Sequence, residues 1–78
     1  MTKFPVDAPI REIIRALERL GFVIIREGNH ISLARDNNDG TRTMLTIPNH
    51  RTLKSSTLRT IILKAGLTHE EFLEHYKK

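Results

Sequence analysis

The sequence predicts an α+β fold in which helices pack on one face of a three-stranded antiparallel sheet, in the order α-β-β-β-α-α. Apolar residues recur at helical spacing near both ends of the chain. Between them lie three consecutive stretches rich in β-branched residues, separated by runs of Gly, Asn and Asp that favour tight turns. Because such short turns join neighbouring strands, the strands are expected to form an antiparallel meander.

The first helix is expected to follow a short N-terminal arm at positions 1–6. Asp7 is placed to cap this helix, Pro9 falls in its first turn, and Gly21 lies where a helix commonly ends. Its core face would consist of Ile10, Ile13, Ile14, Leu17 and Leu20. Arginines recur every four residues on another face, which is either a solvated surface or a stripe that contacts phosphates: Arg11, Arg15 and Arg19.

The three strands are predicted at positions 22–26, 30–35 and 41–47, with turns at 27–29 and 36–40. Side chains alternate along a strand, so residues two apart share a face. The core face is expected to carry Ile31, Leu33, Leu45 and Ile47. The opposite face, called the open face below, is expected to carry His30, Ser32, Ala34, Arg42, Met44 and Thr46.

The remainder of the chain predicts two further helices. Positions 49–54 are polar and basic and are interpreted as a loop. Ser55 or Ser56 is expected to cap the second helix, and Thr68 and Glu71 have the spacing of a capping box at the start of the third. The apolar residues that would dock these helices are Leu58, Ile61, Ile62, Ala65, Leu67, Phe72, Leu73 and Tyr76.

Length and charge indicate a single domain over residues 1–78 with an anionic partner. A chain of 78 residues has room for one modest core and no large enclosed cavity. The 13 Lys and Arg residues exceed the 9 Asp and Glu residues, giving a formal charge of +4 that favours binding to nucleic acid. An ordinary solvated surface or an acidic protein partner would also account for this excess.

Composition also excludes several kinds of chemistry. The chain has no cysteine, which rules out disulfides, cysteine-ligated zinc and thiol catalysis. Its 4 histidines lack the spacing of a helical zinc pair, so we expect neither a metal nor another cofactor. No apolar run reaches the length of a signal-peptide core or a membrane span, so we expect a cytoplasmic protein that does not act at a membrane.

His30 is the best candidate for chemistry in this chain. It directly follows Gly28 and Asn29 in a predicted tight turn, and alternation places it on the open face. Imidazole takes up and releases protons near cellular pH. The plainer interpretation is that His30 is only a polar residue at the start of a strand.

Cleavage of RNA is the reaction that suits a lone histidine on a basic, open surface. The 2′-hydroxyl of RNA supplies the nucleophile, so the protein needs only to move protons and to stabilise charge on the phosphorus. His30 would act as general base or general acid. Arg42, the nearest expected neighbour across the meander, and Lys54 would hold the phosphate, and Asn29 would contact the RNA. A shallow surface favours single-stranded RNA, and the same surface could bind RNA without cleaving it.

Several short segments, in order along the chain, resemble the HicA toxin family. They are Leu20-Gly21-Phe22, Gly28-Asn29-His30, Thr46-Ile47-Pro48-Asn49-His50, Leu53-Lys54, Thr57-Leu58-Arg59-Thr60-Ile61, Ala65-Gly66-Leu67 and Glu71-Phe72-Leu73. The resemblance implies a double-stranded-RNA-binding-like fold, ribosome-independent cleavage of mRNA, and neutralisation by a HicB-like antitoxin.

The resemblance also bears on individual residues. The catalytic histidine of the family lies in a Gly-Ser-His motif on the second strand, which corresponds to His30. Asn29 stands where the family usually has serine, and its amide can still donate or accept a hydrogen bond. His50 resembles a recurring family position, for which a structural or RNA-contacting role is expected. The implied function is an mRNA endoribonuclease toxin of a type II toxin–antitoxin pair; a degenerate toxin kept as a protein-interaction subunit is a further alternative.

Overall fold

The computed structural model describes residues 5–76 and confirms the α+β fold with the order α-β-β-β-α-α. Three antiparallel strands form the main sheet in the order β2-β3-β4, and two additional short strands, β1 and β5, pair with each other. Residues 1–4 of the predicted arm lie outside the described part. None of the helices within residues 5–76 has the length and apolar character needed to cross a membrane. The elements are β1 (Asp7–Pro9), α1 (Ile10–Arg19), β2 (Val23–Glu27), β3 (His30–Asp36), β4 (Arg42–Pro48), β5 (Thr52–Lys54), α2 (Ser55–Lys64) and α3 (His69–His75).

The core lies between the helices and one face of the main sheet. Ile31 pairs with Ile47 and Leu33 with Leu45 across β3 and β4, and all four side chains are no more than 3% exposed. The predicted alternation is therefore confirmed on the core face. Each fully buried aliphatic side chain of this kind stabilises the fold by roughly 1.5–3 kcal/mol. The helices contribute Ile13, Ala16, Leu17, Leu58, Ile61, Ile62 and Phe72 to the same cluster.

The open face is accessible, because the helices cover the other side of the sheet. His30, Arg42 and Thr46 are exposed along this face, and Met44 keeps 59% of its surface accessible. Ala34 is the exception at 1% exposure, since it lies between Val23 and Met44 in the register and their larger side chains shield it. A ligand can thus reach the polar part of the sheet without any rearrangement of the core.

Two predictions near the ends of the sheet are wrong, both because of the β1–β5 pair. Asp7 does not cap α1; it lies in β1 opposite Lys54, and the N-cap of α1 is Pro9, with no side-chain cap. Within positions 49–54, which were expected to form a loop, Thr52–Lys54 forms β5. The pairing buries Leu53 against Ala8 and satisfies backbone groups on both segments, which outweighs the local preference of either sequence.

The starts of α2 and α3 differ in how they are capped. Neither Ser55 nor Ser56 caps α2, because its N-cap position is occupied by Lys54 at the end of β5. The predicted capping box of α3 is confirmed. Glu71 donates its backbone N–H to Thr68 Oγ1 at 3.1 Å, and the backbone N–H of Thr68 donates to Glu71 Oε1 at 2.9 Å. Hydrogen bonds to the Glu71 carboxyl, first from the Thr68 backbone N–H and then from the Thr68 side chain, hold its pKa below its usual range.

Replacing Thr68 by alanine is expected to lower the free energy of unfolding by about 1 kcal/mol, because α3 loses the acceptor at its first turn. A loss of this size should lower the Tm of a domain this small by about 4–8 °C, which thermal unfolding followed by circular dichroism measures. Serine at position 68 keeps the hydroxyl and serves as the control. An unchanged Tm for Thr68→Ala would contradict the role given to this box.

The capping box should also make stability depend on pH. The pKa of Glu71 is lower in the folded chain than in the unfolded chain, so the carboxylate stabilises the fold at pH values above its pKa in the unfolded chain. This stabilisation is lost as the pH falls through the pKa of Glu71 in the folded chain. Glu71→Gln should therefore be less stable than the wild-type protein at about pH 7, and the difference should close in acid. A gap that does not narrow as the pH is lowered from neutral into the acid range would contradict this assignment.

Candidate functional site

The turn between β2 and β3 presents His30 at one corner of the open face. Gly28 donates its backbone N–H to the His30 carbonyl at 3.0 Å, which closes a tight turn around Asn29. His30 is the first residue of β3 and lies opposite Pro48, the last residue of β4. The imidazole is exposed at this end of the β3–β4 pair.

Asn49 ties this turn to the end of β4. Its side-chain amide Nδ2 donates to the Gly28 carbonyl at 2.9 Å, and its backbone N–H donates to the Asn29 carbonyl at 3.2 Å. One residue therefore fixes the two carbonyls that precede His30. Sequence reasoning missed this role, because the side-chain bond joins residues 21 positions apart and leaves no local signal in the sequence.

A shallow depression next to the turn, the His30 pocket, has an open volume of about 310 Å³ and is lined by Arg26, Gly28, Asn29, His30 and Ser32. The structure thus brings together Asn29 and His30, as expected. It adds Ser32, which was expected on the open face without a role, and Arg26, which sequence reasoning had treated only as a strand residue. Within residues 5–76, no hydrogen bond or ion pair engages the side chains of His30 or Arg26.

Arg42 is not the neighbour of His30 that was expected. In the antiparallel register, the start of β4 lies opposite the end of β3, so Arg42 pairs with Asp36. Its Nε lies 2.9 Å from Asp36 Oδ1. At a rise of about 3.3 Å per residue, the six positions from His30 to Asp36 span about 20 Å. A contact between Arg42 and RNA stays a prediction, but it would lie well away from His30.

Lys54 and the α1 arginines lie outside the main sheet. Lys54 is exposed at the end of β5, opposite Asp7. Arg15 is at ion-pair distance from Glu12 (3.9 Å), and Arg19 donates to the His75 carbonyl at 2.9 Å. Since α1 packs against the core face, these arginines are separated from the His30 pocket by the sheet. Arg26 is the one lysine or arginine among the residues that line the His30 pocket.

Comparison with protein-family models connects this geometry to a known group. The model of the HicA toxin of bacterial toxin–antitoxin systems matches residues 10–67, more than half of the chain. The chain belongs to the HicA toxin family. Membership implies a toxin with a cognate antitoxin as its partner. No curated protein matches the chain in a sequence search.

The part that matches the HicA family contains the whole candidate site. It begins at Ile10, the first residue of α1, and ends at Leu67, so it includes the His30 pocket and Asn49 but not α3. No three His, Asp or Glu side chains within residues 5–76 approach closely enough to hold a metal ion. The groups available for chemistry in the pocket are one imidazole, one guanidinium, one amide and one hydroxyl.

Asn49→Ala is expected to loosen the turn before His30 while changing the free energy of unfolding by only about 0.5–1.5 kcal/mol, since a single exposed hydrogen bond is lost. Amide exchange and backbone order parameters at Gly28 and Asn29, measured by NMR, would report the loosening. Asn38→Ala, which removes another exposed asparagine from the β3–β4 turn, is the control. Identical dynamics at Gly28 and Asn29 in both variants would show that Asn49 does not position the turn.

Proposed function

We propose that this HicA family chain is an mRNA endoribonuclease, the toxin of a type II toxin–antitoxin pair, and that it cleaves single-stranded RNA with His30 as general acid or base. The observation that carries the proposal is the placement of His30. Its exposed imidazole, unengaged within residues 5–76, stands in an open, basic pocket on the uncovered face of the sheet. An open pocket of this kind admits a splayed single strand without the need to enclose it.

The reaction that fits these groups is attack by the 2′-oxygen of RNA on the adjacent phosphorus. The 2′-oxygen gives up a proton, the bond from phosphorus to the 5′-oxygen breaks, and that oxygen takes up a proton. The products are a 2′,3′-cyclic phosphate and a 5′-hydroxyl, with no proton gained or lost overall. An imidazole that accepts the first proton becomes the imidazolium that can deliver the second, so His30 can serve either transfer.

The proposed chemistry does not require the protein to supply a nucleophile or a metal-bound hydroxide. Asn29 lies beside His30, and its amide is suited to bind a phosphate or sugar oxygen. This is the position at which family members usually carry serine, so a hydrogen-bonding side chain is retained. We also infer that the chain acts in the cytoplasm, because mRNA, its proposed substrate, is present there.

Cleavage by the purified chain tests the proposal. The protein should cut an unstructured RNA oligonucleotide of mixed sequence in the presence of EDTA, and it should leave the 2′-O-methyl form of the same oligonucleotide intact. The methyl group removes the nucleophile without removing the phosphates. Cleavage of the methylated oligonucleotide, or a strict need for a divalent metal, would contradict this mechanism.

Arg42 and Lys54 are proposed to contact RNA outside the His30 pocket. Both side chains are exposed cations, although Arg42 forms an ion pair with Asp36. Replacing either by glutamine should weaken binding of the 2′-O-methyl RNA and reduce the slope of log affinity against log salt by roughly 0.7. Lys64→Gln, which removes an exposed cation from the last turn of α2, is the control. Slopes equal to that of the control would remove these two residues from the RNA path.

A non-catalytic RNA-binding module is the second candidate. It is favoured by the composition of the His30 pocket, since only one of the five lining residues, His30, is of a type that commonly serves in general acid–base catalysis. In that case the chain should bind RNA with a salt dependence typical of phosphate contacts but should not cut it, so no new RNA ends would form. A degenerate toxin retained for protein interaction would show neither cleavage nor salt-dependent binding.

A further inference from the structure

We propose that the His30 pocket is the binding site of the scissile phosphodiester and that Arg26 is the cation that binds it, an assignment that rests on the proposed cleavage of RNA. The ligand class is a phosphodiester anion within single-stranded RNA. The pocket lies between two strands, so its lining residues are held by the sheet ladder on one side and by the Asn49-tethered turn on the other.

A β-bulge brings Arg26 to this site. Ile24 pairs with Leu33, but the next pair joins Arg26 to Ser32, so Ile25 is an extra residue on β2. Without this shift, alternation would place Ile25 opposite Ser32 and Arg26 opposite Ile31, whose side chain is buried in the core. The shift places Arg26 opposite an open-face residue instead. Bulges are frequent next to active sites because they redirect a side chain in this way.

The register also places Arg26 within reach of His30. Directly opposed residues have Cβ atoms about 4.5–5.5 Å apart, and diagonal neighbours are about 7–8 Å apart, which long side chains can span. Arg26 is directly opposite Ser32 and diagonal to His30, and all three line the His30 pocket. A phosphate bound by the guanidinium would therefore lie beside the imidazole.

The charge of Arg26 is available for a ligand. Within residues 5–76, Arg26 makes no ion pair, and the adjacent Glu27 lies opposite Ile31, which belongs to the other face of the sheet. Arg35, on the next strand, is engaged: its guanidinium carbon lies 4.9 Å from the centroid of the Phe22 ring, and its Nε donates to Asn37 Oδ1 at 3.2 Å. Among the residues that line the His30 pocket, Arg26 is the one lysine or arginine, and its guanidinium is not engaged by these neighbours.

The chemistry of the proposed reaction gives Arg26 a specific part. Attack by the 2′-oxygen places additional negative charge on the non-bridging oxygens of the phosphorus before the 5′-oxygen departs. A guanidinium can donate two parallel N–H bonds to these oxygens, a geometry that the ammonium of lysine lacks. The Ser32 hydroxyl, opposite Arg26, can donate a further bond. Removing one such donor from a site that binds a developing oxyanion commonly slows the reaction by about 10²–10³-fold.

The test compares three variants of the full chain: Arg26→Gln, Arg26→Lys and, as a control, Arg15→Gln, which removes an arginine from the opposite side of the sheet. Single-turnover cleavage of an unstructured RNA of mixed sequence gives the rate constant. We expect Arg26→Gln to lower it by about 10²-fold or more. Arg26→Lys should lie between Arg26→Gln and the wild-type protein, and Arg15→Gln should equal the wild type. Equal rate constants for Arg26→Gln and Arg15→Gln would overturn the assignment.

A second readout separates this assignment from the proposed cleavage. NMR titration of each protein with the uncleavable 2′-O-methyl RNA should shift the backbone amides of residues 26–32 in the wild type, and these shifts should be weakened in Arg26→Gln. If the wild-type chain cleaves no RNA but shows these Arg26-dependent shifts, the proposed reaction is wrong and the phosphate site stands. Shifts confined to other residues, or unaffected by Arg26→Gln, would overturn the site. Because Arg26 is exposed, Arg26→Gln and Arg26→Lys should both have the Tm of the wild type. If Arg26→Gln is destabilised, Arg26→Lys still tests the assignment.

Discussion

His30→Ala is expected to lower the rate of RNA cleavage by about 10²–10⁴-fold, the range that general acid–base catalysis typically contributes. The fold should be unaffected, because the imidazole is exposed and, within residues 5–76, forms no hydrogen bond or ion pair. Thermal unfolding should therefore give nearly the same Tm for His30→Ala and the wild type. The reduction should appear in the single-turnover rate constant, whereas binding of 2′-O-methyl RNA should keep nearly the same salt slope.

His69→Ala is a matched control for this experiment. His69 is exposed at the start of α3, which lies outside the segment that matches the HicA family. The His69→Ala protein should cleave RNA at the wild-type rate. Cleavage at the wild-type rate by a folded His30→Ala protein would show that His30 is not the catalytic group.

The cognate antitoxin is expected to abolish binding of RNA by covering the open face. No segment within residues 5–76 covers His30, and the cognate antitoxin that the family implies is the molecule expected to cover it. A HicB-like antitoxin that presents carboxylates to Arg26 and Arg42 would match the charge of this face. The toxin saturated with antitoxin should then bind 2′-O-methyl RNA no more tightly than the antitoxin alone does.

Hydrogen exchange of the complex would locate the covered surface. The backbone of β3 is already paired on both sides by β2 and β4, so little added protection is expected there. New protection should instead concentrate in the turn at Gly28 and Asn29 and along the edge of β2 that does not pair with β3. This strand is accessible to a partner, since Val23 and Ile25 are 60% and 52% exposed. A ternary complex that holds uncut RNA at full affinity would exclude occlusion and would require inhibition from a distance.

The core of this protein could be predicted from the sequence because it depends on local periodicity. Alternation over the long strands β3 and β4 identified Ile31, Leu33, Leu45 and Ile47 before any pairing was known. Strands β1 and β5 could not be predicted in this way. Each has three residues, too few for a period to show, and the pairing of Ala8 with Leu53 is a contact between distant parts of the chain.

The site was only partly predictable, for reasons of register. His30 and Asn29 follow from a turn sequence and alternation alone. The expected position of Arg42 beside His30 was wrong. A tight turn makes β4 return antiparallel and sets its first residue against the last residue of β3, at the far end from His30. Arg26 depends on a bulge, which is a property of the pairing between two strands and leaves no regular signal in β2 itself.

Mapping RNA ends in cells would test the central claim most directly. The isolated chain and its His30→Ala form would be induced without antitoxin, and the 5′ ends of cellular RNA sequenced before and shortly after induction. The account predicts new internal 5′-hydroxyl ends within mRNAs after induction of the wild-type chain and none after induction of His30→Ala at equal protein level. An absence of new ends with the wild-type chain, or the same ends with His30→Ala, would contradict it.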